Sequence, residues 1–370
     1  MTVAFTLSRY IAQQFTSAVL VMTASLASLV SLFDFIELLR RAATRPEATL
    51  GLITEIAALR LPWIAMEILP FAVLLGGIVA FWRLTRSSEL IVARAAGLSA
   101  WQFLAAPVLA AFAIGAFATA AVSPLSSVMF ARAEALDNAV LKAAGGPLAL
   151  NGGQLWLRQA DRALGPEGVA ILHALGVSLH RQTLTATDVS VFRIGAADRL
   201  HERIEARDAR LFRGTWVLDE ARTITPGHLP DPPRSIRLPT DLTVARVQES
   251  FASPDTLSFW RLPDFITLLD RSGFSSIRHR LHFQTLLALP LLAATMTLVS
   301  AGFSMRPARR GGVAQMIASG VAAGFALFLV SKVAAEFGDS GALPVTLAAW
   351  APTLSGLLGA VAMLLHLEDG

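Results

Sequence analysis

Six long apolar runs constrain this chain more than anything else in it: Ile11–Phe33, Leu61–Trp82, Leu98–Val122, Phe283–Met305, Gly311–Ser331 and Ala342–Leu365. Glu67 is the single charge inside them. A bilayer core of ~30 Å needs ~20 apolar residues in a helix, and each run is that long. Six transmembrane helices are therefore expected. The first run exceeds the ~7–15 residues of a cleaved signal's apolar region, so it is expected to remain as a span. Composition agrees: 16% of residues are charged, against roughly 25% in soluble domains. With no cysteine, disulfides and thiolate metal sites are excluded.

Between the third and fourth runs lie about 150 residues of ordinary polarity. Partial alternation marks short strands at Gln154–Arg158, Val169–His180, Thr183–Ile194, Ile204–Phe212, Thr215–Ile224 and Leu238–Val247. Arg213-Gly214 fits a hairpin turn, and Pro226-Gly227 and Asp231-Pro232-Pro233 punctuate the end. Strands without intervening helices indicate an antiparallel sandwich or jelly roll. Leu262-Pro263-Asp264-Phe265 opens a short helix that Gly273 is placed to stop. The expected division is three spans in 1–123, an all-β domain in 124–260, and a connecting helix with three spans in 261–370.

Six spans place both termini on one side and the β block on the other. The terminal side then carries Arg9, Arg83, Arg86, Arg94, Arg306, Arg309 and Arg310. The opposite side carries Arg40, Arg41, Arg45, Arg60, Arg278, Arg280 and Lys332. This tally is balanced, so the excess of cytoplasmic Lys and Arg that usually orients a membrane protein does not decide. Lys142 and Lys332 are the only lysines. Arginine suits bidentate contact with phosphate, although a GC-rich genome gives the same bias.

Three constellations stand out. Arg86-Ser87-Ser88-Glu89-Leu90-Ile91, continuing through Arg94 to Gly97, reads as a short amphipathic helix with Ser87 at its cap and Glu89 in its first turn. It could insert into a partner's groove or lie in the lipid headgroups. Arg40, Arg41 and Arg45 after the first run, with Arg278, His279, Arg280 and His282 before the fourth, are either interfacial anchors or a rim for anionic headgroups. Asp34, Glu37, Glu67, Lys332 and Glu336 are charges costly in lipid that need a cavity or a partner. Lys332 and Glu336, four apart, can pair with each other. Gly320 and Gly324 form a small-xxx-small helix face. There is no G-x-x-x-x-G-K-[ST], H-E-x-x-H, G-x-S-x-G or C-x-x-C. The chain is thus expected to be no enzyme and to hold no metal or cofactor, and nothing in it points to nucleic acid.

The segment Arg86-Ser87-Ser88-Glu89-Leu90-Ile91-Val92, followed by Ala96-Gly97-Leu98-Ser99, resembles the LptF/LptG permease family of the lipopolysaccharide exporter. Leu69-Pro70 with Leu75-Gly76-Gly77, and Ser253-Pro254-Asp255-Thr256-Leu257-Ser258, match as well, and the likeness runs end to end. Within the family, Phe35-Ile36-Glu37-Leu38-Leu39-Arg40-Arg41, the Ser272-Gly273 helix stop and the sparse C-terminal tail favour the LptG branch over LptF.

The resemblance implies a six-span inner-membrane permease with cytoplasmic termini and a periplasmic jelly-roll domain, which moves lipopolysaccharide from the outer leaflet to a periplasmic bridge. It makes Arg86, Ser87, Glu89, Leu90, Ile91, Arg94 and Gly97 the coupling segment for a partner ATPase that binds ATP and Mg. Phe33, Asp34, Glu37, Arg40, Arg41, Glu67, Arg278 and Arg280 become candidates for lipid contact. Gly320, Gly324, Phe328 and Lys332 fall on a lateral gate helix. The family usually carries lysine where Arg40 and Arg41 stand, so a strict lysine role would not transfer. The implied partners are an LptF-like sister, two LptB-like ATPases, LptC-like and LptA-like jelly-roll proteins, lipopolysaccharide and membrane lipid. Two other readings compete: a mechanotransmission subunit that carries no lipid, and an enzyme built on Glu67 or the β block.

Overall fold

The computed structural model describes residues 2–43, 48–87, 89, 99–141, 148–151, 154–164, 168–180, 183–195, 199–212, 214–227, 229–240, 253–271, 275–304 and 313–369. They divide into two compact units. The first comprises Met1–Leu141, Pro254–Pro263 and Ile277–Gly370, and the second Lys142–Ser253 and Asp264–Ser276.

The first unit is helical. Its helices are α1 (Thr2–Ala42), α2 (Leu50–Arg86), α3 (Ala100–Phe117), α4 (Ser123–Leu136), then, after α5 described below, α6 (Ile277–Ser304), α7 (Val313–Asp339) and α8 (Val345–Asp369). A π turn, Ala118–Val122, joins α3 to α4 as one rod, so the described residues hold six membrane-crossing helices. The six apolar runs coincide with them, but several helices continue well past the apolar stretch. At 1.5 Å per residue, the 37 residues of α2 reach about 55 Å, nearly twice a bilayer core. The third rod likewise passes the expected boundary at residue 123 and ends in a second π turn, Asp137–Leu141.

These overruns stay helical because they bury one another. Leu38 and Ala42 of α1, Ile53, Ile56 and Ala57 of α2, and Ala133 of α4 form a separate apolar cluster. Local signals start the helices. Thr49 accepts from the Leu52 N–H at the head of α2. Ser99 and Gln102 exchange hydrogen bonds as a capping box at the head of α3.

Packing in the main core is set by α6, whose apolar window is 72% buried. Corresponding windows of α1 and α7 are each only 11% buried, so these two helices are peripheral. Ile11, Phe15 and Val19 of α1 meet Val73, Leu74 and Phe81 of α2 in that core. The approach is close at Gly76, where a Cβ would lie 2.7 Å from Val19 Cα. Glycine is needed there because backbone, unlike a side-chain tip, cannot move aside.

The second unit is an antiparallel sheet of seven strands: β1 (Leu148–Asn151), β2 (Gln154–Ala160), β3 (Val169–His180), β4 (Thr183–Ile194), β5 (Leu200–Phe212), β6 (Thr215–Ile224) and β7 (Arg234–Pro239). They pair in sequence order, each with the next. Among the described residues this strand order, which the sequence did not reveal, is a meander without the crossed connections of two Greek keys. The expected strands over 169–180, 183–194 and 215–224 fall where expected. Most of the Leu238–Val247 expectation lies outside the described residues, and β7 sits earlier, directly after the two prolines.

One line of irregularity crosses this sheet. In β4 the buried positions run Leu184, Ala186, then Val189, Val191, so the inward face changes parity at Thr187-Asp188. Strand β5 changes at Arg207-Asp208, and β6 at Asp219-Glu220. The three sites are in register, with Thr187 opposite Asp208 and Asp208 opposite Asp219. Asp188 (φ 52°) and Glu220 (φ 53°) adopt left-handed backbone conformations. The pairing register runs unbroken through this line from β4 to β6 and shifts beside it only between β6 and β7, at Leu218/Ala221, so the inward face stays continuous across the break. That face is apolar, centred on the fully buried Trp216, Leu184, Ile204 and Leu218. Phe265 and Leu269 of α5 (Leu262–Arg271) pack on it.

Arg193 pins the far end of β4. Its Nε donates to Asp161 Oδ2 and its Nη1 to Glu202 Oε1, both at 2.5 Å. The guanidinium holds the Asp161 carboxyl below the usual carboxylate range, against the opposing effect of burial. A depressed carboxyl contributes stability that is complete above its unfolded pKa of ~3.9 and is lost as pH falls through its lower folded value. Thermal melts between pH 7 and pH 3, followed by near-ultraviolet circular dichroism, should show this loss at the acid end. Arg193→Gln should lower stability at neutral pH and flatten the acid slope. An unchanged slope in that variant would remove Asp161 as its source.

Candidate functional site

The cluster of apolar overruns also carries the densest charge in the helical unit. Arg60 of α2 stands in an apolar stretch, 12% exposed. Its Nη1 donates to Asp34 of α1 at 2.9 Å and its Nη2 to Asp137 at 3.0 Å, where the third rod enters its last π turn. The Asp137 side chain is 3% exposed, and Arg41 approaches it at 3.9 Å. One guanidinium thus ties together three helical rods. Removing one partner of such a buried set leaves an uncompensated charge, at a cost of about 3–5 kcal/mol.

Outside this knot, Glu37 accepts from Arg40 at 2.8 and 2.9 Å and from Arg41 at 3.1 Å. These i,i+3 and i,i+4 contacts follow from helical spacing. Three acids, Asp34, Glu37 and Asp137, thus face three arginines, Arg40, Arg41 and Arg60. Among the described residues this cluster is formally neutral, and each of these arginines has an acidic neighbour; Arg45 lies outside the described residues. Arg40 remains 76% exposed, and Phe33 is exposed two turns earlier. At the other proposed rim segment, Arg278 pairs with Asp339 at 3.4 Å, while Arg280 is exposed on the same helix.

Sequence reasoning counted Arg60 only in a charge tally and did not consider Asp137. A signal was present for Arg60, because an arginine between Ala57-Ala58-Leu59 and Leu61-Pro62 requires a partner. Nothing local pointed to an acid 77 residues away.

A second charged site lies deeper. Glu67 of α2 pairs with Lys332 of α7. Lys332 therefore does not use Glu336, its neighbour one helical turn away. The Phe328 ring lies 5.5 Å from the Lys332 ammonium. Gly320 and Gly324 are buried where α7 crosses α2, beside Ile78 and Leu74. Behind the ion pair is a cavity of about 180 Å³. It also reaches His282 of α6, whose Nδ1 is 3.7 Å from Asp255.

Of the expected coupling segment, only the entrance is described. Arg86 ends α2 with its guanidinium 5.5 Å from the Trp82 ring. Ser87 closes α2, its hydroxyl donating to the Leu84 carbonyl at 3.2 Å. Glu89 is helical and half-buried, and Tyr10 of α1 donates to it at a long 3.5 Å. Leu90, Ile91, Arg94 and Gly97 lie outside the described residues.

Arg60→Gln should lower the midpoint of thermal unfolding in detergent substantially, by the ~3–5 kcal/mol expected for a broken buried ion set. Arg40→Gln, at an exposed pair, should leave it nearly unchanged. Equal effects of the two substitutions would show that the Arg60 knot carries no special stability.

The sequence matches the family of the lipopolysaccharide export system permease LptF/LptG over residues 9–366. It is 25% identical over 367 residues to lipopolysaccharide export system permease protein LptG of Escherichia coli strain K12, an alignment covering 95% of this chain and 93% of the relative. The same identity and coverage hold for LptG of Escherichia coli O6:H1 strain CFT073. A match along nearly the whole chain joins six membrane-crossing helices and an inserted antiparallel sheet in one assignment, that of a multi-pass inner-membrane protein: the chain belongs to the LptF/LptG family of lipopolysaccharide export permeases.

Proposed function

We propose that this chain is the LptG-type subunit of the exporter. Paired with an LptF-like sister, it withdraws lipopolysaccharide from the outer leaflet of the inner membrane and passes it to LptC-like and LptA-like jelly-roll proteins. The observation that carries this reading is the end-to-end similarity to the two LptG proteins. Two structural features support it. Helices α1 and α7 are the least covered of the unit, as helices facing a sister subunit across a lipid path would be. The β unit gathers its apolar side chains on one face, which suits the handling of acyl chains.

In this reading both termini are cytoplasmic and the sheet is periplasmic. Two LptB-like ATPases bind ATP and Mg and dock on the segment from Arg86 to Gly97, with Glu89 as its main polar contact. The chain itself is non-catalytic. Closure of the partners is transmitted to α1 and α2, which share one core through Phe15, Val19, Val73 and Leu74. Lipid is expelled only if it binds the open state better than the closed one. The neutral cluster at the end of α1 offers such a difference. A lipid phosphate must displace Glu37 to reach Arg40 and Arg41, and small helix movements change which partner wins.

Two measurements test this reading. Glu89→Lys should leave the complex assembled but reduce lipopolysaccharide extraction from proteoliposomes at least about tenfold, the effect of losing ~1.4 kcal/mol of coupling. Normal extraction would remove Glu89 from the docking surface. Glu37→Gln should tighten lipopolysaccharide binding in detergent by releasing both arginines, whereas Arg40→Ala with Arg41→Ala should weaken it. Unchanged affinity in both variants would leave these arginines as interfacial anchors.

A further inference from the structure

The cavity behind Glu67 and Lys332 is a partly open hollow lined by residues of this one chain. Its mouth is marked by half-exposed groups: the Lys332 side chain is 52% exposed and the Glu67 side chain 45%. Trp63, stacked on Phe130 at 4.9 Å, stands beside them. The interior is apolar, lined by the buried Leu286, Leu289 and Met296 of α6. An ion pair at the door of an apolar chamber, inside a membrane-crossing helical unit, is unusual. Charges cost least in lipid when paired, and they stay there at lasting cost unless something uses them.

Size limits the occupant. A hydrocarbon-lined protein cavity of ~150 Å³ holds one benzene, so about 180 Å³ accommodates roughly six or seven methylene-sized groups. That is a segment of one acyl chain, far short of a whole lipid. Charge selects the headgroup. Four ionisable groups face the cavity: Glu67 from α2, Lys332 from α7, His282 from α6, and Asp255 from the segment between the sheet and α5. Asp255 lies against His282, and among the described residues the acid that faces the Lys332 ammonium is Glu67. Lysine binds phosphate as a compact point charge with three donors. A lipid phosphate at the mouth would therefore compete with Glu67 for Lys332.

We propose that this cavity is a lipid site within the single subunit, which takes one acyl-chain segment of a phosphate-bearing lipid. Lys332 is its phosphate contact, and Glu67 is a built-in competitor that closes the mouth when the site is empty. The site is separate from the cluster at the end of α1. Both a glycerophospholipid and lipopolysaccharide present this chemistry.

Tryptophan quenching by bromine-labelled acyl chains tests the proposal on the full chain in nanodiscs. The Trp63 signal is the difference between the protein and Trp63→Phe. Brominated phosphatidylglycerol diluted into phosphatidylcholine should quench it at about fivefold lower mole fraction than brominated phosphatidylcholine does, the preference expected from one basic group near an anionic lipid. Lys332→Gln should abolish the preference, and Glu67→Gln should increase it. The opposite signs are decisive, because a pair with only a structural role would give the same change for both variants. Equal quenching by the two lipids, or variants that shift together, would overturn the proposal. A third arm with brominated lipid A shows whether the exported lipid also enters. Failure of that arm alone bears on the exporter reading and leaves the glycerophospholipid site standing.

Discussion

A charge carried into a low-dielectric layer needs an opposite charge beside it, and in this chain the opposite charge comes from another helix. Arg60 reaches Asp34 on α1 and Asp137 at the end of the third rod. Lys332 reaches back from α7 to Glu67 on α2. Each pair is separated widely along the chain and cannot form until the helices have packed. These contacts fix which helices are neighbours more sharply than apolar packing does, because one apolar face substitutes for another while an unpaired buried charge has no cheap alternative.

Around these anchors the helices divide into a fixed set and a peripheral set. α6 is enclosed on most sides, and α2 packs against it and against α1. α1 is held at both ends, by Ile11, Phe15 and Val19 toward the start and by Leu38, Ala42 and the Arg60 knot toward the finish. Its middle is largely uncovered, with Leu29, Leu32 and Phe33 exposed. α7 lies close through Gly320 and Gly324 and carries interhelical ion pairs at Lys332, to Glu67 of α2, and at its end, from Asp339 to Arg278 of α6. Helices held at a few points with largely uncovered apolar faces can shift against a firm core, as a permease that must open and close requires.

The sheet unit solves a different problem. A flat seven-stranded sheet cannot enclose its own apolar face. Changing the inward parity in neighbouring strands at one line, through Asp188 and Glu220, lets Leu184, Val189, Ile204, Ala209 and Trp216 all point into one core. Glu220 and Asp219 on this line meet Arg207 and Arg210, so solvent-facing charge costs little there.

The number of spans, the place of the inserted domain and three strand boundaries were legible in the sequence, because each follows from local run length or alternation. The resemblance carried by the segment from Arg86 to Gly97 was legible too, since a motif needs no fold to be recognised. Tertiary structure decided the rest. Lys332 has Glu336 one turn away yet uses Glu67, because facing helices bring the two together across the bundle. Arg41 approaches Asp137, and Arg60 joins Asp34 to Asp137, only when three helical rods come together. The break line in the sheet was hidden because a parity change in one strand looks like noise until its neighbours show it at the same register. Local pattern fixes what kind of element each segment becomes. Which charges meet depends on distances that exist only once the chain has folded.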